Sequence, residues 1–452
     1  MFTCMTSKEE KKGLTRRKIL EAGILAAFAA GGGLALSRFL PESRSQEEEE
    51  AELVRAYFER HPWPENPAEI LARSKEVQYA PGAEFRGTLF FRKLMWELVQ
   101  ELKAQGLWSG SDESDWFAHQ EVIEDALDIL ASAGIKGGRL TITAYEMTDD
   151  EGNFTWERLD KAIEMMQLRN MKVELAVGID NPEYPGVRLS DALRERLIEE
   201  ARRNGKEEIQ IGLTPDPNFP EHSAEILDFC QRLLEAQIQR HDHNVESYYL
   251  GNEWPNAHLI EGMPDELAET FKMSFGEDFM LDMVDRAMRL TQKPIGLNTM
   301  IHPSRLDELE SVYGRIFERL GKQGKLGFDV YPTRSLLVPE EREMMDDYDV
   351  LMEAVRRLFP DALVVLTELQ SAPWPKDGMS EAWVDIYEEH TQFIIDFYEK
   401  WYPRILELFA AKSGATQIGV WDLHVILVAL KRGYEFPVQL LQAANEAMEK
   451  NR

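Results

Sequence analysis

The chain has 452 residues, 44% of them apolar and ten of them tryptophan, enough to bury a core far larger than a small module needs. Its formal charge of -30 is spread along the sequence rather than gathered in a tail, which disfavours nucleic acid or an anionic membrane as the main partner. Its two cysteines, Cys4 and Cys230, have no motif around them and do not predict a structural disulfide.

At the N-terminus, Lys11, Lys12, Arg16, Arg17 and Lys18 precede a weakly apolar, glycine-containing run from Ala22 to Leu36. The paired arginines followed by Ile-Leu resemble a twin-arginine export signal, with Glu21 where lysine is usual. The resemblance implies the twin-arginine export machinery as a partner and a periplasmic or cell-surface location. The apolar run is short for a full span, which needs roughly twenty residues. Residues 1–40 are therefore expected to be a signal peptide or a membrane anchor, the only part of the chain to meet the membrane. Residues 41–80 read as a charged linker passing into a short helix, and 81–452 as one catalytic domain, since no Pro/Ser-rich linker or repeat interrupts them.

Within that domain eight short β-branched or aromatic runs follow one another. They are FRGTLFF (85–91), GGRLTITAYEM (137–147), MKVELAVGID (171–180), VESYYLGNE (245–253), KPIGLNTM (293–300), KLGFDVYP (325–332), ALVVLTELQ (362–370) and TQIGVWDLH (416–424). Between them lie segments such as HQEVIEDALDILASAG, WERLDKAIEMMQLRN and SAEILDFCQRLLEAQIQRH, whose apolar residues recur every three to four positions as in amphipathic helices. Eight strand–helix units in order predict an α/β fold, a (β/α)8 TIM barrel. A doubly wound open sheet would carry a glycine-rich phosphate loop after its first strand, and none is present.

Barrels of this kind assemble their active sites at the C-terminal ends of the strands. Arg139 lies within the second run, Asn252 and Glu253 end the fourth, Tyr331 ends the sixth, Glu368 ends the seventh, and Trp421 lies in the eighth. Two carboxylates at one barrel mouth, with an arginine, an amide, a tyrosine and a tryptophan, are the parts needed to break a glycosidic bond through a covalent intermediate.

GNEWPN after strand four, TELQSAPW after strand seven, Arg139 in GGRLTI, DVYP and GVWD together resemble glycoside hydrolase clan A, the retaining glycosidases built on a (β/α)8 barrel. The clan commonly has Pro after the Asn-Glu pair; here Trp254 stands there, with Pro255 one place further. The resemblance implies Glu253 as acid/base and Glu368 as nucleophile. The implied substrate is an oligosaccharide or polysaccharide with β-linked sugars. Physical chemistry supports the same roles. A partly desolvated Glu253 near a second carboxylate would be held protonated towards neutral pH, ready to protonate the leaving oxygen. Arg139 and the Tyr331 hydroxyl would favour the charged form of Glu368, which must attack the anomeric carbon. Asn252 is placed to hydrogen-bond the sugar 2-hydroxyl, Trp421 offers a flat face for a pyranose ring, and Trp254 and Trp374 are candidates for outer subsites.

The histidine spacing does not point to a metal site. HDH at 241–243 has a spacing that converges poorly and precedes the fourth run at the end of the barrel away from catalysis, so it reads as a solvated loop. His302 and His424 follow the fifth and eighth runs, where sugar hydrogen bonding is expected before metal ligation. No HExxH, CxxC or EF-hand spacing occurs, and no catalytic cofactor and no metal is expected. Two alternatives use the same barrel: a catalytically degenerate carbohydrate binder, against which the retained pair of glutamates argues, and a transglycosylase that delivers the sugar to an acceptor other than water. A metal-dependent barrel hydrolase is disfavoured by ligand-poor strand ends.

Overall fold

The computed structural model describes residues 84–89, 91–104, 115–132, 135–149, 151–178, 220–251, 277–299, 306–330, 344–369 and 417–420, with single positions 199, 203 and 423. The proposed export and linker segments, 1–40 and 41–80, lie outside the described residues. Eight strands, β1 (Glu84–Leu89), β2 (Gly137–Leu140), β3 (Lys172–Val177), β4 (Ser247–Leu250), β5 (Ile295–Thr299), β6 (Gly324–Val330), β7 (Leu363–Leu369) and β8 (Gln417–Val420), pair in chain order as a closed barrel. Every pairing is parallel, and β8 closes on β1 through Glu84↔Gln417 to Gly87↔Val420.

Parallel neighbours need a crossover, and helices supply it. The described helices are α1 (Phe91–Ala104), α2 (Gln120–Ser132), α3 (Glu157–Gln167), α4 (Pro220–His241), α5 (Glu277–Leu290), α6 (Leu306–Leu320) and α7 (Met344–Leu358). Strands covered by helices outside and side chains inside are buried on both faces, which is why the runs read as continuous apolar stretches. In β7, Val364, Val365 and Leu366 are all fully buried. In α3 the buried residues Leu159, Ala162, Ile163 and Met166 recur every three to four positions, the stripe that faces the barrel.

One of the eight runs ends early. The stretch 137–147 is a strand only to Leu140, and Ala144–Met147 forms a 3-10 turn. Thr143 and Glu146 make a capping box there: the Thr143 backbone N–H and hydroxyl donate to Glu146 Oε2 at 3.1 and 2.9 Å. The other oxygen of Glu146 accepts from the buried Trp116 indole at 2.6 Å. Local capping therefore outweighs the β-branched composition of this stretch.

The interior at the N-terminal end of the barrel is closed by charge. Glu174 Oε1 on β3 accepts from Arg86 Nη1 on β1 at 2.7 Å and from Ser247 Oγ on β4 at 3.1 Å, and it forms an ion pair with Lys325 on β6. Arg86 also pairs with Glu246. Burial pushes the Lys325 ammonium below the usual lysine range, and the Glu174 carboxylate opposes that shift. Above this cluster Tyr249 lies flat enough for Lys325 Nζ to approach its ring centroid at 4.9 Å. Gly296 makes room for that ring, since a Cβ at position 296 would come within 2.7 Å of two of its carbons.

The reading of 241–243 as a solvated loop needs correction for its first residue. His241 is the last residue of α4 and is 1% exposed, packed edge-on against Trp156 at 6.1 Å between ring centroids, while His243 is exposed. The helix places its C-terminal turn over the Trp156 side chain, and the apolar contact buries the imidazole. Burial pushes its pKa down to about 4, against the opposing pull of Asp160 at 3.5 Å. The ordinary value is about 6.5, so between these two pH values the unfolded chain binds a proton that the folded chain does not. Stability should fall as pH drops through that window. Urea midpoints measured across it should flatten in His241→Phe; an unchanged pH slope in that variant would assign the dependence elsewhere.

Candidate active site

Arg139 is the penultimate residue of β2 and Glu368 the penultimate residue of β7. In the closed barrel β8 and β1 separate these two strands, so a contact between them has to cross the interior. Arg139 Nη2 makes that contact, donating to Glu368 Oε1, and it also lies 3.5 Å from Thr88 Oγ1 on β1. Both partners are buried, Arg139 at 3% and Glu368 at 1% exposure. Opposite charges in such a setting attract strongly.

The guanidinium is seated from below by an aromatic ring. Arg139 Cζ lies 5.6 Å from the Tyr249 ring centroid, the same ring that Lys325 approaches. Tyr249 thus connects the charged base of the barrel to its mouth. Its hydroxyl, buried and with no hydrogen-bond partner among the described residues, is held well above the usual phenol range by burial and by Glu174. Arg139 Nη1 is likewise buried with no hydrogen-bond partner among the described residues.

Beside the ion pair sits a second buried carboxylate, Asp329 on β6. Its Oδ2 accepts from Asn298 Nδ2 on β5 at 2.6 Å and its Oδ1 from Thr367 Oγ1 on β7 at 2.7 Å. Asp329, Asn298, Thr367, Tyr249 and Thr88 were not among the residues expected from sequence. A signal for them existed: polar side chains inside strands that are otherwise apolar and buried on both faces must find interior partners.

Of the expected site residues, Arg139 and Glu368 are brought together. Asn252, Glu253, Trp254, Tyr331, Trp374 and Trp421 lie outside the described residues, as do His302 and His424. The strands leading to three of them are described. β4 ends at Leu250, and Gly251 turns the chain with φ 67°, a left-handed conformation suited to glycine, immediately before Asn252 and Glu253. β6 ends one residue before Tyr331 and β8 one residue before Trp421. Among the described residues, no group of three or more His, Cys, Asp and Glu side chains is arranged to hold a metal ion.

No protein-family model matches the chain, and no curated protein matches it. Among solved structures it is similar to PbGH5A, a glycoside hydrolase family 5 enzyme from Prevotella bryantii B14, at 12% identity and TM-score 0.45 over 72% of this chain and 86% of that one. It is also similar to a thermostable mutant of a xylanase from Cellvibrio japonicus, at 13% identity and TM-score 0.45 over 70% of this chain and 83% of that one. Xylanase B from Clostridium stercorarium F9 matches at 12% identity and TM-score 0.44 over 75% of this chain and 85% of that one. The barrel itself rests on the strand pairing above, and the site on its own contacts.

Proposed function

We propose that this chain is a retaining glycoside hydrolase acting on β-linked sugars, with Glu368 as the nucleophile and Glu253 as the acid/base. The observation that carries the reading is the buried ion pair of Glu368 with Arg139 at the C-terminal end of the barrel strands. A buried ion pair alone is no active site, and the base of this barrel holds one too. The two differ in place and in completeness. The Glu174 cluster closes the silent end, and Glu174 Oε1 takes three donors there. The Glu368 pair stands at the end where barrels carry out chemistry, and its guanidinium retains a donor that has no hydrogen-bond partner among the described residues.

The reaction follows from these groups. The Glu368 carboxylate oxygen attacks the anomeric carbon as the bond to the leaving oxygen breaks, and Glu253 gives its proton to that oxygen. In the second step water attacks the same carbon, Glu253 takes the water proton, and the Glu368 ester bond breaks with its electron pair returning to the carboxylate. Asn252 is assigned to the sugar 2-hydroxyl, Tyr331 to a hydrogen bond on Glu368, Trp421 to the sugar face, and Trp254 and Trp374 to outer subsites. Two displacements at one carbon restore its configuration. The test is to incubate the full chain with aryl β-glycosides and β-linked polysaccharides of glucose, mannose, galactose and xylose and to follow the first-formed anomer by NMR. Retention is expected; inversion would exclude Glu368 as a nucleophile. Adding a sugar acceptor measures the share of transfer over hydrolysis.

The same reading has the chain exported, supported by Arg16-Arg17 ahead of a weakly apolar run. Replacing both arginines by lysine should retain the protein in the cytoplasm, scored by fractionation. Unchanged export would instead indicate a general secretory signal or anchor.

A further inference from the structure

The pairing of β6 with β7 slips by one residue at the mouth. Phe328 pairs with Leu366, but Asp329 pairs with Glu368, which makes Thr367 the extra residue of a β-bulge. On a regular strand successive side chains face opposite sides. Lys325 on β6 points inward to Glu174, so by alternation Gly327 and Asp329 also face the interior. Thr367 donates to Asp329 and so shares that face. Without the slip, Glu368 would then point outward to the helices. With it, both neighbours reach interior partners, Thr367 on Asp329 and Glu368 on Arg139.

Two further features fit this arrangement. Asn298 holds the second oxygen of Asp329, which ties three consecutive strands, β5, β6 and β7, into one network. A Cβ at Gly327 would come within 2.4 Å of Thr367 Cγ2 and 2.6 Å of its hydroxyl, so glycine at 327 leaves space for the additional inward side chain.

We infer that Asp329, seated by Asn298, and Thr367 are positioning residues: their hydrogen bond fixes the β7 bulge, and the bulge aims Glu368 into the barrel at Arg139. They act through the placement of the Glu368 backbone rather than on the reacting atoms. The catalytic consequence rests on the glycosidase reading; the aiming of Glu368 does not, and two measurements separate them.

Thr367→Val is nearly isosteric and removes only the donor. A misplacement of a catalytic group on the order of 1 Å can cost about 100-fold in rate, so kcat should fall by about 10- to 100-fold while KM stays within about threefold. Thr367→Ser, which keeps the hydroxyl, should restore kcat to within about threefold of the parent. A residue that served stability alone would leave kcat of the folded enzyme unchanged, and that outcome overturns the inference. The second measurement needs no activity: urea midpoints of Thr367→Val, Glu368→Gln and the double variant. If Thr367 holds Glu368 on Arg139, the losses of the two single variants will not add, since each breaks the same contact. Additive losses overturn the inference whether or not the chain is a glycosidase. A parent enzyme that turns over no glycoside defeats the proposed reaction alone and leaves the midpoints to decide the bulge.

Discussion

Glu368→Gln should lose turnover of every substrate, by about four orders of magnitude or more in kcat, because no other group can form the glycosyl intermediate. The replacement keeps the shape of the side chain and removes its charge and nucleophilicity. It also leaves Arg139 buried without its carboxylate, so part of the effect will fall on stability, and circular dichroism must show a folded protein before the rate is interpreted. Glu253→Gln should behave differently. Aryl glycosides with good leaving groups need little protonation, so their first step should survive in that variant while poor leaving groups fail. Azide should partly restore Glu253→Ala and yield a β-glycosyl azide, since a small anion can attack the intermediate without a general base. A carboxyl separation of about 5–5.5 Å between Glu253 and Glu368 belongs to the same mechanism. A Glu368→Gln enzyme with normal turnover would end it and bring forward the carbohydrate-binding barrel.

The second large effect is expected at the opposite end of the barrel. Glu174→Gln removes the carboxylate that Arg86 and Lys325 share; Arg86 keeps its ion pair with Glu246, while Lys325 keeps the Ser247 hydroxyl, the Tyr249 ring and the more distant charge of Glu246. Removing one partner of a buried charge pair costs about 3–5 kcal/mol, mostly as desolvation of the charge left behind. Urea denaturation at neutral pH should register a loss of that order. The pH dependence has a definite sign. The folded chain already holds the Lys325 pKa below its ordinary value, and without Glu174 it should drop further. The unfolded chain then binds a proton that the folded chain lacks, from the lowered value up to the ordinary lysine pKa of about 10.4. The variant should accordingly regain stability as pH rises through that window. Adding Lys325→Met should recover part of the loss at neutral pH. A Glu174→Gln protein as stable as the parent would mean that the cluster is solvated.

How far the fold could be read from the chain follows from what buries a strand. Each of the eight apolar runs overlaps one strand of the barrel, because a parallel strand covered on both faces must be apolar along its length. The helical segments were equally plain, as α3 illustrates with its stripe from Leu159 to Met166. Run lengths were less faithful. β2 stops at Leu140 although β-branched residues continue, since the Thr143–Glu146 capping box and the Trp116 indole offer that backbone another arrangement. His241 reads as solvated when only its neighbours along the chain are considered, yet Trp156, eighty-five positions earlier, covers it.

By itself, then, the sequence determined the barrel, the order of its units and the place of Glu368 at a strand end, all of which depend on local composition and periodicity, whereas Arg139 stands at a strand end because β2 stops at Leu140. The contact between those two residues, 229 positions apart, exists only because the barrel closes and brings β2 and β7 to one mouth. The direction of Glu368 was likewise a tertiary decision. A period-two pattern specifies alternation but not register, and in TEL it assigns Thr367 and Glu368 to opposite faces. The one-residue slip against β6, held by Asp329 and admitted by Gly327, turns both side chains inward. That slip depends on how a neighbouring strand is seated, and no local property of β7 encodes it.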